Sequence, residues 1–190
     1  MHIYLIRHPP PIDVDGLCYG RLDVPVDEKD IARTAESIFE QIPGPTLASA
    51  RIYCSPSSRC MGLARHIASP RQPTAAEDLI EMSFGCWQGI RWDAIARLEI
   101  DAWTKDLWRY RPGGGESAEM VATRWERWLH HVRQSVGANV VAVTHAGVIR
   151  VALARSGRGH GSSALEAHIP FGSVHRLDLG TTLEHEMQPT

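Results

Sequence analysis

Three short runs rich in apolar and β-branched residues alternate with stretches that have a helical repeat, and this alternation constrains the fold most. The runs occupy residues 3–6, 51–54 and 139–143, and they show no regular apolar–polar alternation. Such runs are typical of strands that are covered on both faces. Between them, apolar residues recur at spacings of three and four over residues 31–42 and 121–136. The sequence therefore predicts an α/β protein with a mostly parallel sheet.

The length of the chain suits a single domain. It has 190 residues, which is close to the common domain size, so we expect one domain over residues 1–190. Residues 87–112 hold four of the six tryptophans and little strand pattern, which favours a helical excursion over the sheet. In the tail, residues 164–183, breaks at Pro170 and Gly172 indicate two final strands.

Composition and charge exclude several classes of protein. Hydrophobic residues make up 43% and charged residues 22%, which excludes disordered, collagen-like and coiled-coil chains. The net charge is −2, whereas nucleic-acid binders usually carry a strongly basic domain. No window approaches the roughly 18 apolar residues of a membrane span, and the first residues lack the pattern of a signal peptide. We expect a cytoplasmic protein that binds neither nucleic acid nor membrane.

Side chains suited to phosphate chemistry directly follow the predicted strands. Arg7 and His8 come after the first run, Arg59 opens a helix after the second, and His145 follows the third. Because the carboxyl ends of parallel strands form the ligand crevice, we expect these groups to meet at one edge. Arginine forks and helix N-termini bind phosphate, and a neutral imidazole can attack phosphorus. The pattern predicts a site for a phosphate ester.

Four motifs carry a resemblance to a known family. They are LIRH at residues 5–8, SPSSR at 55–59, LIEMSFGCWQG at 79–89 and THAGVIR at 144–150. In order and spacing they resemble the histidine phosphatase superfamily, and they cover most of the chain. The resemblance implies the phosphoglycerate mutase-like fold, a three-layer α/β/α arrangement in which helices flank a mostly parallel sheet.

The same resemblance implies the roles of individual residues. His8 matches the nucleophile that becomes phosphohistidine, and Glu81 matches the proton donor. The phosphate pocket would consist of Arg7, Arg59 and His145, together with Ala146. A carboxyl group in the donor position is chemically sensible, because an alkoxide leaves badly unless an acid protonates it.

The chain departs from the family pattern directly after the nucleophile. The family usually has R-H-G followed one residue on by threonine, whereas this chain has Pro9-Pro10-Pro11. A proline at position 9 removes a backbone donor and favours extended geometry at His8. A hydroxyl contact of the family near the phosphate is therefore absent or replaced.

Two segments are similar to the α-ribazole phosphatase branch, which acts in cobalamin biosynthesis. They are CYGRLDVPV at residues 18–26 and GGES at 114–117, the latter preceded by one glycine more than the usual P-G-G-E-S. Glu116 and Ser117 are candidate substrate contacts, although Ser117 also suits an N-cap of the following helix. The four tryptophans of the excursion either offer a stacking surface or simply pack it: Trp87, Trp92, Trp103 and Trp108.

Together, the residues and the resemblance predict a metal-independent phosphomonoesterase that acts on α-ribazole 5′-phosphate. The sequence also leaves three alternatives open. They are a phosphoglycerate mutase-type transferase, a broad small-molecule phosphatase, and a phosphate-binding module without turnover. No cofactor and no metal are expected, because His130-His131 and His185-Glu186 match no chelating motif. The predicted partner is a small-molecule phosphate ester, and a homodimer is left open.

Overall fold

A computed structural model describes residues 1–134, 139–156 and 161–179, in which strands and helices alternate along the chain. The strands are β1 (His2–Arg7), β2 (Arg51–Cys54), β3 (Thr74–Ala75), β4 (Val140–Thr144) and β5 (Val174–Asp178). The α-helices are α1 (Glu28–Gln41), α2 (Gly44–Ser49), α3 (Ser58–Ala68), α4 (Arg97–Lys105), α5 (Ala118–Arg133) and α6 (Ala146–Arg155). The last residues of the helical pattern predicted over 121–136 lie outside the described residues.

The five strands form one mixed sheet in the order β3-β2-β4-β1-β5. The strands β3, β2, β4 and β1 are parallel to their neighbours, and only β5 runs antiparallel, along β1. Arg7 is in register with Thr144, and Cys54 with Val143, so β1, β4 and β2 end at one level. The residues that follow these three strands therefore meet at one edge of the sheet.

Helices cover both faces of the sheet, because alternate side chains of each strand point to opposite faces. Ile3 and Leu5 of β1 are fully buried in a core with residues of α5 and α6. Tyr4 and Ile6 pack into a second core with residues of α1 and α3. The three-layer α/β/α architecture predicted from the sequence is thus observed.

The segment around residues 87–112 forms α4 and short 3-10 helices, among them Trp92–Ala94 and Pro112–Gly114. It has a small core of its own around the buried side chains of Cys18, Trp87 and Ile95.

The tail differs from the two strands expected over residues 164–183. A 3-10 helix, Gly161–Glu166, precedes a single strand, β5, and residues 180–183 lie outside the described residues. Leu165 in the 3-10 helix is buried in the core with α6 residues, so its apolar character reflects helix packing rather than a strand. Among the described helices, none is long and apolar enough to cross a membrane.

Candidate active site

His8 follows β1 directly and is almost fully buried. Its backbone N–H donates to the Thr144 carbonyl at 3.0 Å, which links it to the end of β4. Its ring Nδ1 lies 2.7 Å from the carbonyl oxygen of Pro9. Because a carbonyl only accepts hydrogen bonds, Nδ1 carries the proton, and in the neutral ring Nε2 keeps its lone pair.

The surroundings of His8 favour this neutral ring. Burial, followed by the positive charge of Arg59, holds the pKa of His8 well below its usual value. Arg7 acts in the same direction, while the hydrogen bond to Pro9 opposes it. A neutral imidazole with a free Nε2 is the nucleophilic form of histidine.

His145 follows β4 and is completely buried beside His8. Its Nδ1 accepts a hydrogen bond from Arg59 Nη2 at 3.2 Å, and its Nε2 lies 2.8 Å from Ser55 Oγ. An arginine only donates, so in the neutral ring the proton sits on Nε2 and is donated to Ser55. Burial, with His8 and Arg59 as further causes, lowers the pKa of His145 well below its usual value.

Two guanidinium groups flank the histidines, that of Arg59 buried and that of Arg7 partly buried. Arg59, at the start of α3, donates to the carbonyls of Leu22 at 2.8 Å and Gly20 at 2.7 Å. Arg7 donates to a backbone carbonyl of the tail, that of Ile169. The Nε atoms of both arginines are buried and have no hydrogen-bond partner. Buried donors normally have an acceptor, and the protein's own hydrogen bonds leave these two without one, as they do the indole nitrogens of Trp87 and Trp128.

Aromatic rings pack against these guanidinium groups. Phe171 places its ring centroid 3.6 Å from the guanidinium carbon of Arg7 and 5.5 Å from the ring of His8. The ring of Tyr19 lies 5.3 Å from the guanidinium carbon of Arg59. Such cation–π contacts orient an arginine without using its N–H groups.

Glu81 is buried at the N-terminus of α6, on an irregular segment. Its Oε1 accepts a hydrogen bond from the Met82 backbone N–H at 2.8 Å, and its Oε2 lies 3.4 Å from the Gly147 backbone nitrogen. Ala146, the first residue of α6, lines a small cavity together with Glu81. The Glu81 side chain therefore lies against the first turn of α6.

A cleft of about 390 Å³ opens beside Arg7 and Glu81. Its lining includes Arg7, Glu81 and four aromatic side chains: Tyr19, Phe84, Trp92 and Phe171. Two residues of the proline run, Pro10 and Pro11, complete one side. The cleft therefore combines a charged end with a largely aromatic wall.

The tryptophans of the excursion divide between packing and the cleft. Trp87 is buried, and Trp108 packs against the main core. Trp92 and Trp103 stack with ring centroids 6.0 Å apart, and Trp92 lines the cleft. Most of this aromatic surface thus serves packing, and Trp92 is the member that a bound molecule can reach in the cleft.

Glu116 and Ser117, both candidate substrate contacts, are engaged within the protein. The Ser117 hydroxyl accepts a hydrogen bond from the Met120 backbone at 3.2 Å, and Ser117 is therefore the N-cap of α5. The Glu116 carboxylate pairs with Arg21 at 2.8 Å and with Arg124 at 3.2 Å. These contacts use the groups that a substrate would need.

The part of the chain that the structure describes contains no group of three or more His, Cys, Asp or Glu residues arranged to hold a metal ion. Positive charge at the sheet edge comes instead from Arg7, Arg59 and the start of α6.

Comparison with known proteins identifies the family. The model of the histidine phosphatase superfamily, branch 1, matches residues 3–183. The chain belongs to the histidine phosphatase superfamily. For this histidine phosphatase, similarity to solved structures extends over more than nine-tenths of the chain and confirms the predicted fold.

Three relatives illustrate the range of the similarity. The structure of the α-ribazole phosphatase from Shigella flexneri has a TM-score of 0.77 at 25% identity, covering 94% of this chain and 91% of that one. The structure of a mycobacterial glucosyl-3-phosphoglycerate phosphatase in complex with VO3 has a TM-score of 0.78 at 22% identity, covering 92% and 91%. A metal-independent phosphoserine phosphatase of Arabidopsis thaliana is 28% identical over 157 residues, which are 78% of this chain and 65% of that relative.

The structure brings Arg7, His8, Arg59 and His145 together, and Glu81 shares the cleft with Arg7. Sequence reasoning did not single out Ser55, Tyr19 or Phe171, which surround them. Ser55 and Tyr19 lie within quoted motifs, so a search of those motifs for polar and aromatic neighbours would have found them. Phe171 lies in the tail and carries no such signal.

Proposed function

We propose that this histidine phosphatase is a metal-independent phosphomonoesterase that works through a phosphohistidine at His8. The observation that carries the proposal is the convergence of Arg7, Arg59 and His145 on His8, whose Nε2 is free because its proton sits on Nδ1. Phosphate oxygens need hydrogen-bond donors and positive charge, which the guanidinium groups of Arg7 and Arg59 supply. His145, close to both His8 and Arg59, adds a further group to the phosphate pocket.

The reaction proceeds in two steps. The lone pair on His8 Nε2 forms a bond to phosphorus while the bond to the ester oxygen breaks, and Glu81 in its acid form gives that oxygen its proton. In the second step the Glu81 carboxylate takes a proton from water. The resulting hydroxide attacks phosphorus, the N–P bond breaks, and phosphate leaves with His8 restored. The arginines stabilise the charge on the phosphoryl oxygens in both steps.

Trapping of the intermediate tests this proposal. Rapid quenching at neutral or basic pH with a labelled phosphate ester should yield an acid-labile, base-stable phosphoprotein. The variant His8→Ala should lose both label and turnover, whereas the matched variant of an exposed histidine, His130→Ala, should label like the parent. Undiminished label in His8→Ala contradicts the proposal, and ligand binding without any turnover of the parent protein would favour a non-catalytic binding module.

The proposed substrate is α-ribazole 5′-phosphate. In support, the cleft beside Arg7 carries an aromatic wall that suits a flat base, and the similar Shigella flexneri structure is an α-ribazole phosphatase. The branch motifs at residues 18–26 and 114–117 support the same substrate. The alternatives remain a broad small-molecule phosphatase and phosphoryl transfer of the phosphoglycerate mutase type.

A panel of esters tests the substrate. The value of kcat/KM for α-ribazole 5′-phosphate should exceed those for 3-phosphoglycerate and phosphoserine. Truncation of the aromatic wall by Trp92→Ala should lower kcat/KM for α-ribazole 5′-phosphate and leave kcat/KM for glycerol 2-phosphate unchanged. The control Leu98→Ala, on exposed α4, should change neither value. Faster interconversion of phosphoglycerates than hydrolysis would support the mutase alternative, and equal rates on all esters would support a broad phosphatase.

A further inference from the structure

Glu81 lies on a segment that no regular element holds in place. Residues 80–84 are irregular and connect the 3-10 helices Glu77–Leu79 and Gly85–Trp87. A group that transfers a proton must stay within a fraction of an ångström of its place, since a misplacement of about 1 Å costs about 100-fold in rate. The contacts that hold this segment therefore bear on the reaction.

Arg21 contacts this segment at Glu81 itself. Its Nε donates to the Glu81 backbone carbonyl at 2.9 Å, while its Nη2 pairs with Glu116 Oε2 at 2.8 Å. Its own backbone N–H donates to Gln88 at 3.0 Å, which ties Arg21 to the end of the same motif. The guanidinium thus joins the Glu81 backbone to a second carboxylate through two different nitrogens.

Glu116 extends the connection along the segment. Its Oε2 accepts a hydrogen bond from the Ser83 backbone at 3.0 Å, and its own N–H donates to the Ser83 carbonyl at 2.8 Å. Arg124, buried on α5, donates to both Glu116 oxygens at 3.2 Å and to the Asp78 carbonyl at 2.6 Å. Asp78, Glu81 and Ser83 are thereby tied to α5.

We propose that Arg21 is a positioning residue for Glu81, acting together with the Glu116–Arg124 pair. This inference rests on the proposed role of Glu81 as proton donor. Arg21 fixes the position of the Glu81 backbone through its hydrogen bond to the carbonyl oxygen. Glu116 orients the Arg21 guanidinium and does not contact the substrate. Lysine cannot take over this role, because a single ammonium lacks the rigid fork that reaches both the carbonyl and the carboxylate.

The test compares two esters that differ in their need for an acid. p-Nitrophenolate leaves without protonation, whereas the alkoxide of glycerol 2-phosphate does not. We expect Arg21→Gln to lower kcat on glycerol 2-phosphate by about 10- to 100-fold, and kcat on p-nitrophenyl phosphate much less. Arg21→Lys should show the same selectivity with a melting temperature close to that of the parent. The exposed helical arginine in Arg97→Gln serves as the matched control and should change neither rate.

A double variant separates positioning from other roles. When Glu81→Gln has already removed the acid, adding Arg21→Gln should cause little further loss, because the two side chains act in one function. The inhibition constant of inorganic phosphate should stay unchanged in Arg21→Gln. A weaker inhibition would mean that Arg21 binds phosphate directly, and full additivity or equal losses on both esters would also overturn the inference.

If the proposed role of Glu81 as proton donor is wrong, the same variants will give a different pattern of rates. If Glu81 is not the proton donor, Glu81→Gln alone will affect both esters equally. If Glu81 is the donor but Arg21 does not position it, Glu81→Gln will show the selective loss of about 10²- to 10⁴-fold and Arg21→Gln will not.

Discussion

The ring of His8 lies edge-on to the ring of His145, with 5.1 Å between their centroids and 64° between their planes. Both rings are almost fully buried, and the Arg59 guanidinium adds positive charge next to them. Two charged imidazoles at this distance would repel each other, and burial disfavours the charged form of each. The pair is therefore stable as two neutral rings, one with Nδ1 protonated and the other with Nε2 protonated.

Stability should depend on pH through these two rings. Their folded pKa values lie below the unfolded value of 6.5, so the unfolded chain binds more protons as the pH falls. The free energy of unfolding is thus fully retained above pH 6.5 and decreases below it, by up to about 1.4 kcal/mol per pH unit for each histidine. Urea unfolding between pH 5 and 8 measures this slope.

Two histidine variants test which side chains cause the pH dependence of the free energy of unfolding. His145→Asn removes a buried ring and should make the free energy of unfolding less dependent on pH. His130→Asn removes an exposed ring and should leave that pH dependence as in the parent. An unchanged slope in His145→Asn would mean that other groups cause the acid sensitivity.

A methyl group at position 147 should separate activity from stability. Gly147 lies in the first turn of α6, where a Cβ would overlap Oε1 of Glu81. The flexible carboxylate can move aside, and alanine favours the helix by about 0.5–1 kcal/mol over glycine. Gly147→Ala should therefore keep or raise the melting temperature while lowering kcat on glycerol 2-phosphate by about 10-fold or more.

The control for this prediction is another glycine in the first turn of a helix. Gly44 begins α2, and a Cβ there would meet nothing within 4 Å, so Gly44→Ala should keep or raise the melting temperature in the same way and leave both rates unchanged. Full activity of Gly147→Ala would show that the carboxylate need not occupy its present place.

Activity should not require a divalent metal ion. Arg7 and Arg59 place two permanent positive charges beside His8, which is the electrostatic role that a metal ion plays in other phosphatases. Turnover should survive EDTA, while phosphate and vanadate should inhibit competitively because both are oxyanions. Loss of turnover with EDTA and recovery with added Mg²⁺ or Zn²⁺ would refute this, with a metal-dependent phosphatase treated in parallel as the control.

The proline after His8 should matter more for stability than for catalysis. Pro9 supplies the carbonyl that accepts from His8 Nδ1, and every residue type has that carbonyl. Pro9→Ala removes two buried methylenes and loosens the unfolded chain, so the free energy of unfolding should fall by about 1–3 kcal/mol. At the same time kcat should stay within a few-fold, and exposed Pro45→Ala serves as the control. A loss of kcat beyond about 100-fold would give the proline ring itself a catalytic role.

The central part of the fold could be predicted from the sequence because burial on two faces leaves a continuous apolar pattern. The runs at residues 3–6, 51–54 and 139–143 correspond to β1, β2 and β4 within one or two residues. The strand β3 has only two residues, both exposed, so no periodic pattern could reveal it. In the tail, apolar residues of a packed 3-10 helix resembled a strand, since short apolar runs do not distinguish the two.

The candidate site could be predicted as far as it depends on topology. Arg7, His8, Arg59 and His145 follow adjacent strands, so their approach comes from the order of the sheet. Their fine geometry depends on backbone carbonyls, such as that of Pro9, which every sequence contains. The pairing of Glu116 with Arg21 is a long-range contact across the fold, and one sequence gives no sign of it.

The position of β4 between β1 and β2 affects how the protein reaches its reactive state during synthesis. Both neighbours leave the ribosome well before β4, and neither can pair with the other in the final sheet. Until β4 inserts, the backbone of His8 lacks its partner Thr144 and the imidazole of His145 is absent from the site. A nascent or truncated chain that ends before residue 140 therefore contains His8 without Thr144 and His145, and the site is complete only after β4 and the tail that carries β5 have joined the sheet.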